Sequence, residues 1–192
     1  KTEEFISLIE WLKEFNKGQT SKISIAGVDT LSSARDSIMA VRILQKTDTN
    51  EKVIFLAHNI HIGYLTPVWL KKQTGNHIKE KSNADYYAIA TLFHSGRLNA
   101  IKPPNYGVIE FETFKPKKKE LVSKLADISE NPFLLNIGNT ILNDFEESRR
   151  TWEIGAVFYT KKKEQEELFN KYFAIGKSFD GIFFTKNITP NK

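Results

Sequence analysis

The chain has 192 residues, 40% of them hydrophobic and 27% charged, with a net charge of +5 from 28 basic and 23 acidic side chains. That length suits one domain with a real core, which buries roughly 70% of the extended chain's surface. With no cysteine, disulfides, thiolate metal ligands and a cysteine nucleophile are excluded, and every apolar run falls far short of the roughly 20 residues of a membrane span.

Thr2 can cap a helix whose first turn carries Glu3 and Glu4, both favourable at the positive end of the dipole. Phe5, Leu8, Ile9, Leu12 and Phe15 then recur at the spacing of one buried helical face, and Gly18 ends the helix. Ile23 to Val28 predicts a short strand finishing at Asp29. A helix from about Ser33 to Lys46 follows, with Ile38, Val41 and Leu44 turned inward. Val53-Ile54-Phe55-Leu56 has no polar interruption, so it predicts a strand buried on both faces at the centre of the sheet. Two histidines follow it in Ala57-His58-Asn59-Ile60-His61-Ile62-Gly63. A helix begins or continues at Pro67 to Lys72, and Tyr86 to Phe93 predicts a strand.

Farther on, Val108 to Phe114 alternates, with Ile109, Phe111 and Thr113 on one face and Glu110 and Glu112 on the wet face of an edge strand. Most of the charge excess lies in Lys115-Pro116-Lys117-Lys118-Lys119 and Lys161-Lys162-Lys163. A nucleic-acid surface would interleave such lysines with stacking aromatics and Arg. Phe111 and Phe114 fit strand core better, so these are solvated clusters beside helix starts and no nucleic-acid partner is expected. A helix from about Lys118 to Ile128 and a strand near Phe133 to Ile137 come next. Ile154 to Tyr159 and Gly181 to Thr185 read as strands, separated by a helix carrying Leu168, Phe169, Tyr172 and Phe173. The alternation predicts one α/β domain over residues 1–192, with a mostly parallel sheet flanked by helices on both faces. Ile23–Val28 and Tyr86–Phe93 would lie beside the central Val53–Leu56.

Chemistry concentrates at the end of that central run. In open α/β sheets the carboxyl ends of strands border the ligand crevice, and imidazoles there can donate, accept or titrate near neutral pH. The plainer reading of His58 and His61 is a pair satisfied by backbone groups. A catalytic zinc site takes three protein ligands, and the two histidines have no third His, Asp or Glu beside them, so no metal is expected. Asn59 suits a loop-holding role through backbone hydrogen bonds. Arg35 and Asp36 open a helix, where Asp suits the dipole and Arg does not; Arg35 is either solvated or turned toward the histidines as an anion or carbonyl partner. Asp29, just after a strand, is a candidate carboxylate at the same edge, and Trp69 either lines the cleft or joins the core. His77 and His94 read as surface residues in polar loops.

Arg35-Asp36-Ser37-Ile38-Met39-Ala40 and, some 20 residues later, Ala57-His58-Asn59-Ile60-His61 resemble the Arg-Asp-x-x-Met-Ala and Ala-His-Asn-x-His motifs of the erythromycin esterase family. Trp11-Leu12-Lys13-Glu14-Phe15-Asn16, Gly27-Val28-Asp29, Tyr86-Tyr87-Ala88-Ile89, Phe93 with Gly96, Ile154-Gly155 with Tyr159, and Phe179-Asp180 with Thr189-Pro190 resemble further elements of it. The resemblance implies an α/β hydrolase, unrelated to the serine α/β-hydrolases, that cleaves a carboxylic ester with water. Macrolide lactones, and hence antibiotic resistance in bacteria, are one specialised use. It implies His58, His61 and Arg35 as catalytic residues, with His58 steadying the oxyanion or assisting proton transfer. Asp29, Asn59 and Trp69 would bind substrate, with no cofactor.

Two departures accompany it. The family's Gly-Glu-x-x-His-Gly motif, which carries its general base, does not occur in these residues, and Asp29 and Arg35 are almost adjacent where the family places a long helical stretch. The chain starts at Lys1 without Met, which reads as an internal starting point, and by itself it is expected to hydrolyse esters weakly or not at all. The alternative is a non-catalytic small-molecule binding module that keeps the cleft but lacks the base. A small-molecule ester is the expected partner, with no membrane contact. Lack of cysteine fits either side of a bacterial membrane, and the opening residues are not a signal peptide, so the cytoplasm is the expected location.

Overall fold

The computed structural model describes residues 2–47, 51–64, 71–82, 85–102, 107–113, 115–137, 149–150, 172–173 and 175–190. Helix α1 (Glu3–Lys17) starts where its cap predicts, with the Phe5 N–H donating to Thr2 Oγ1 at 3.3 Å, and ends at Gly18. Its apolar stripe stays open: Phe5, Leu8, Ile9 and Phe15 are exposed and no residue of the helix is buried. Asn16 then ties down the returning chain, its Nδ2 donating to Ile23 O at 2.8 Å and its Oδ1 accepting the Ile23 N–H at 2.9 Å.

The two strands expected in this half do not form. Residues 23–28 and 51–58 run without helix or ladder. Val53 is 39%, Ile54 87% and Leu56 78% exposed, which removes Val53–Leu56 from the centre of any sheet. An apolar run becomes a buried strand only where partners flank it. Here the contact is one-sided: Val28 and Phe55 lean on a small cluster of Ala40, Ile43 and Ile78.

The sheet is built from later residues. Strands β1 (Ile89–Lys102), β2 (Gly107–Glu112), β3 (Phe133–Asn136) and β6 (Gly181–Ile188) lie in the order β2-β1-β6-β3. Among the described residues only β1 and β6 run parallel; β1 with β2 and β3 with β6 are antiparallel, so the described sheet is mixed rather than mostly parallel. Strand β1 changes partner at Gly96, pairing with β6 up to that residue and with β2 from Arg97 onward. Gly96 has φ +138°, and a Cβ there would lie 2.1 Å from Ile188 O, so the crossover requires glycine. The main core packs Leu121, Val122 and Leu125 of α5 (Leu121–Ala126) against Ala90 and Leu92 of β1 and Ile182 and Phe184 of β6. Helices α5 and α3 (Asn59–Ile62) both pack against β1.

Arg149–Arg150 (β4) and Tyr172–Phe173 (β5) form a second, two-stranded ladder, so Tyr172 and Phe173 are strand residues instead of helical ones. The expectations for Trp69, for Ile154 to Tyr159 and for Leu168 and Phe169 fall outside the described residues. A short helix, α6 (Ile175–Ser178), leads into β6.

Helix α2 (Arg35–Thr47) forms close to its expected bounds, but its buried face is Met39, Ala40 and Ile43, with Val41 exposed. Small Ala40 lets Ile78 of α4 (Thr74–Ser82) approach; of the expected Ile38, Val41 and Leu44, Leu44 packs against this cluster, Ile38 is part-buried and Val41 alone turns to solvent. The helix expected over Pro67 to Lys72 falls largely outside the described residues, and α4 begins at Thr74. Gly75 sits so close to the end of α3 that a Cβ would lie 2.0 Å from Ile62 O and 2.5 Å from Gly63 O. Among the described residues no helix is long and apolar enough to cross a membrane.

Candidate active site

The histidine segment folds as one helical turn held at both ends. His58 is the N-cap of α3, its Nδ1 accepting the Ile60 N–H at 3.4 Å, and the Gly63 N–H closes the turn on Asn59 O at 2.9 Å. Asn59 docks the turn on the sheet: Nδ2 donates to Thr91 O at 2.8 Å and Oδ1 accepts the Thr91 N–H at 2.9 Å, as a neighbouring strand would. Beyond the turn, Tyr86 Oη donates to Ile62 O at 2.6 Å and the Tyr64 N–H donates to Ser178 O at 3.0 Å. Tyr64 Oη donates to Asp180 Oδ1 at 3.3 Å while Asp180 Oδ2 accepts the Ala88 N–H at 2.8 Å. Burial first, and then the Asp180 charge, push the Tyr64 phenol up to about 12, so it stays a donor at neutral pH.

His61 leaves this turn in the other direction, toward α2 and α4. Its Nδ1 lies 2.6 Å from Asp36 Oδ1, both side chains being 18% exposed. The same oxygen accepts the Thr74 N–H at 3.0 Å and the Thr74 hydroxyl at 2.8 Å. Burial pushes the Asp36 carboxyl up, but the hydrogen bonds from His61 and from the Thr74 side chain and backbone outweigh it and hold the group below the usual carboxylate range.

One residue earlier, Arg35 forms a bidentate pair with Asp29, Nε to Oδ1 at 2.6 Å and Nη2 to Oδ2 at 2.7 Å. Asp29 Oδ1 also accepts the Thr30 N–H at 2.7 Å. The Arg35 hydrogen bond, followed by that backbone donor, pulls the Asp29 carboxyl down to about 2, and Asp29 in turn raises Arg35. Arg42 fixes the backbone here, donating through Nη1 to Val28 O at 3.0 Å and Asp29 O at 2.9 Å. An open depression of about 490 Å³ beside the pair is lined by Asp29, Thr30, Leu31, Ser32, Ser33 and Arg35.

The structure thus joins Asp29 to Arg35 and His61 to Asp36, with the two pairs linked through the Arg35–Asp36 peptide. His58 turns to its capping role and Asn59 spends its amide on Thr91. Among the described residues no group of three His, Asp or Glu side chains is placed to hold a metal. His77 lies in α4 and His94 in β1, so neither is a loop residue. Burial, then Lys186, holds the His94 imidazole below its ordinary range. Asp36, Thr74 and Arg42 are the participants that sequence reasoning passed over. Asp36 carried a signal: it stands at the i, i+3, i+4, i+7 spacing with Met39, Ala40 and Ile43, a carboxylate on the buried face of α2.

A family profile described as erythromycin esterase matches residues 30–188, which takes in Arg35, Asp36, His58, His61 and Thr74. The chain belongs to the erythromycin esterase family. No curated protein matches it significantly. Three solved structures share the fold with this erythromycin esterase family member. A succinoglycan biosynthesis protein matches with TM-score 0.81 at 15% identity, over 99% of this chain and 71% of its own. A protein from Bacillus cereus matches with TM-score 0.72 at 15% identity, over 82% of this chain and 38% of its own. A mutant of the erythromycin esterase EreC in its open conformation matches with TM-score 0.55 at 19% identity, over 81% and 37%. The chain therefore spans well under half the length of two of these three neighbours, and at such identities the likeness concerns fold alone.

Proposed function

We propose that this chain is the histidine-bearing part of an erythromycin-esterase-like hydrolase that adds water across a carboxylic ester, a macrolide lactone being one such ester. The observation that carries this reading is the 2.6 Å contact between His61 and an ionised, part-buried Asp36, within the segment matched by the family. A buried carboxylate on one ring nitrogen equips the other for proton transfer to or from a reacting oxygen. Arg35, oriented by Asp29 at the rim of the depression, is the partner for the ester carbonyl or its oxyanion. His58 caps the turn that presents His61 and adds a second imidazole to the same edge. Asp29 and Trp69 belong to the substrate side in this reading, and Asn59 holds the turn.

One observation favours the second reading, a non-catalytic binding module. Arg35 is already neutralised by two short bonds to Asp29, a stable arrangement for a recognition surface. The test is hydrolysis of activated aryl esters and of a macrolide by the whole protein and by its His61→Asn variant. The hydrolase predicts that His61→Asn lowers kcat by about 10²- to 10⁴-fold with KM little changed. A wild-type protein that binds such esters in a calorimeter and never turns them over would establish the binding module.

A further inference from the structure

Resting on the hydrolase reading, we infer that Asp36 is the positioning residue of the site: it selects which nitrogen of His61 works and ties that choice to the start of α4. Asp36 Oδ1 receives three donors, His61 Nδ1 at 2.6 Å, the Thr74 N–H at 3.0 Å and the Thr74 hydroxyl at 2.8 Å. An ionised carboxylate only accepts hydrogen bonds. In the neutral imidazole the proton therefore sits on Nδ1, and the lone pair, the part of the ring able to take a proton from water, sits on Nε2. Two donors from Thr74 keep the carboxylate from rotating, so the ring plane of His61 is set by α4 as well as by its own turn.

Thr74 is fully buried, and its neighbour Gly75 lies against the carbonyls of Ile62 and Gly63 at the end of α3. The Asp36 carboxylate also satisfies a backbone N–H at the first residue of α4, a place where a helix has no internal acceptor. One oxygen thus serves both the start of α4 and the working face of His61. Asp36 touches no substrate in this scheme and transfers no proton; its donors keep it ionised. Its effect on catalysis passes through the imidazole.

The experiment is a long-range proton–nitrogen correlation spectrum of the whole protein labelled with ¹⁵N-histidine, with the His61 signals identified by their loss in His61→Gln. The expected spectrum of the neutral ring shows Nδ1 protonated and Nε2 bare. The reverse tautomer, or an averaging mixture, overturns the inference, and this measurement needs no substitution at Asp36. In Asp36→Asn the tautomer should become mixed and kcat should fall by up to about 10⁴-fold with KM little changed, since loss of a carboxylate that orients a catalytic imidazole has an effect of that size. A mixed tautomer with unchanged kcat would overturn the positioning role. A wild-type protein with the expected tautomer and no ester turnover would support the geometry while overturning the hydrolase reading, so the two failures are distinct.

Discussion

Val53-Ile54-Phe55-Leu56 and Gly181-Ile182-Phe183-Phe184 look alike as sequence, yet Ile54 is 87% exposed and Ile182 is fully buried. The difference lies in neighbours. Strand β6 has β1 on one side and β3 on the other, with Leu121, Val122 and Leu125 in the same core, whereas residues 51–58 pair with no described strand. The same contrast runs through two asparagines that do identical chemistry. Asn16 and Asn59 each hold one exposed residue's N–H and C=O with a side-chain amide, but Asn16 grips Ile23 in a loop while Asn59 grips Thr91 on the sheet. Apolar character proposes a strand; the topology decides whether there is one.

Paired substitutions test this contrast, the widest gap coming from the two isoleucines. Ile182→Ala removes a filled core position and should cost about 2–5 kcal/mol, whereas Ile54→Ala should stay within about 0.5 kcal/mol. Urea midpoints at unchanged m-value give both numbers, and an equal loss at Ile54 would dissolve the contrast. The asparagines should differ less. Thr91 is exposed like Ile23, so water can take over the freed groups in both Asn59→Ala and Asn16→Ala, and each should cost about 0.5–1.5 kcal/mol. Hydrogen exchange separates the two by location: the Thr91 amide should lose protection in Asn59→Ala, and no sheet amide should respond to Asn16→Ala.

The smallest effect is a slope in pH. Asp36 titrates below its ordinary 3.8 in the folded chain, so the unfolded chain binds the proton first. Its contribution is fully present above the unfolded value and is lost as pH falls through the lower folded one. Asp29 shares that window, from 3.8 down to about 2. Measured in an Asp29→Asn background, acid unfolding should therefore flatten further when Asp36→Asn is added. An unchanged slope would show that the His61 and Thr74 bonds do not persist in solution.

How far sequence reached follows the same division. Caps and 3.6-residue spacing located α1 and α2, because both signals are local: Thr2 ahead of Glu3 and Glu4, then Gly18 after Lys17. Alternation located β2, and short apolar runs located β3 and β6. Pairing is not local, so neither the mixed order of the sheet nor the exposure of Val53–Leu56 was legible. Helix α4 is poor in apolar residues and depends on tertiary bonds, to Asp36 at Thr74 and from Asn76 to Tyr64 O at 2.8 Å, which no spacing rule anticipates. At the site, the density of His58 and His61 after an apolar run marked the segment. The role of Asp36 was hidden because a carboxylate at a helix start reads first as a friend of its own dipole, and here it serves the next helix but one.

Asn59 has a consequence beyond holding a turn. It recognises Thr91 by backbone groups alone, and Thr91 faces Phe183 across the parallel ladder. Sliding β1 by one residue would invert every side chain relative to the sheet faces and present Asn59 with a different rung. The histidine turn is therefore indexed to the alignment of two strands distant in sequence, and correct zippering of Ile89–Gly96 against Gly181–Ile188 is what sets the rung on which it docks.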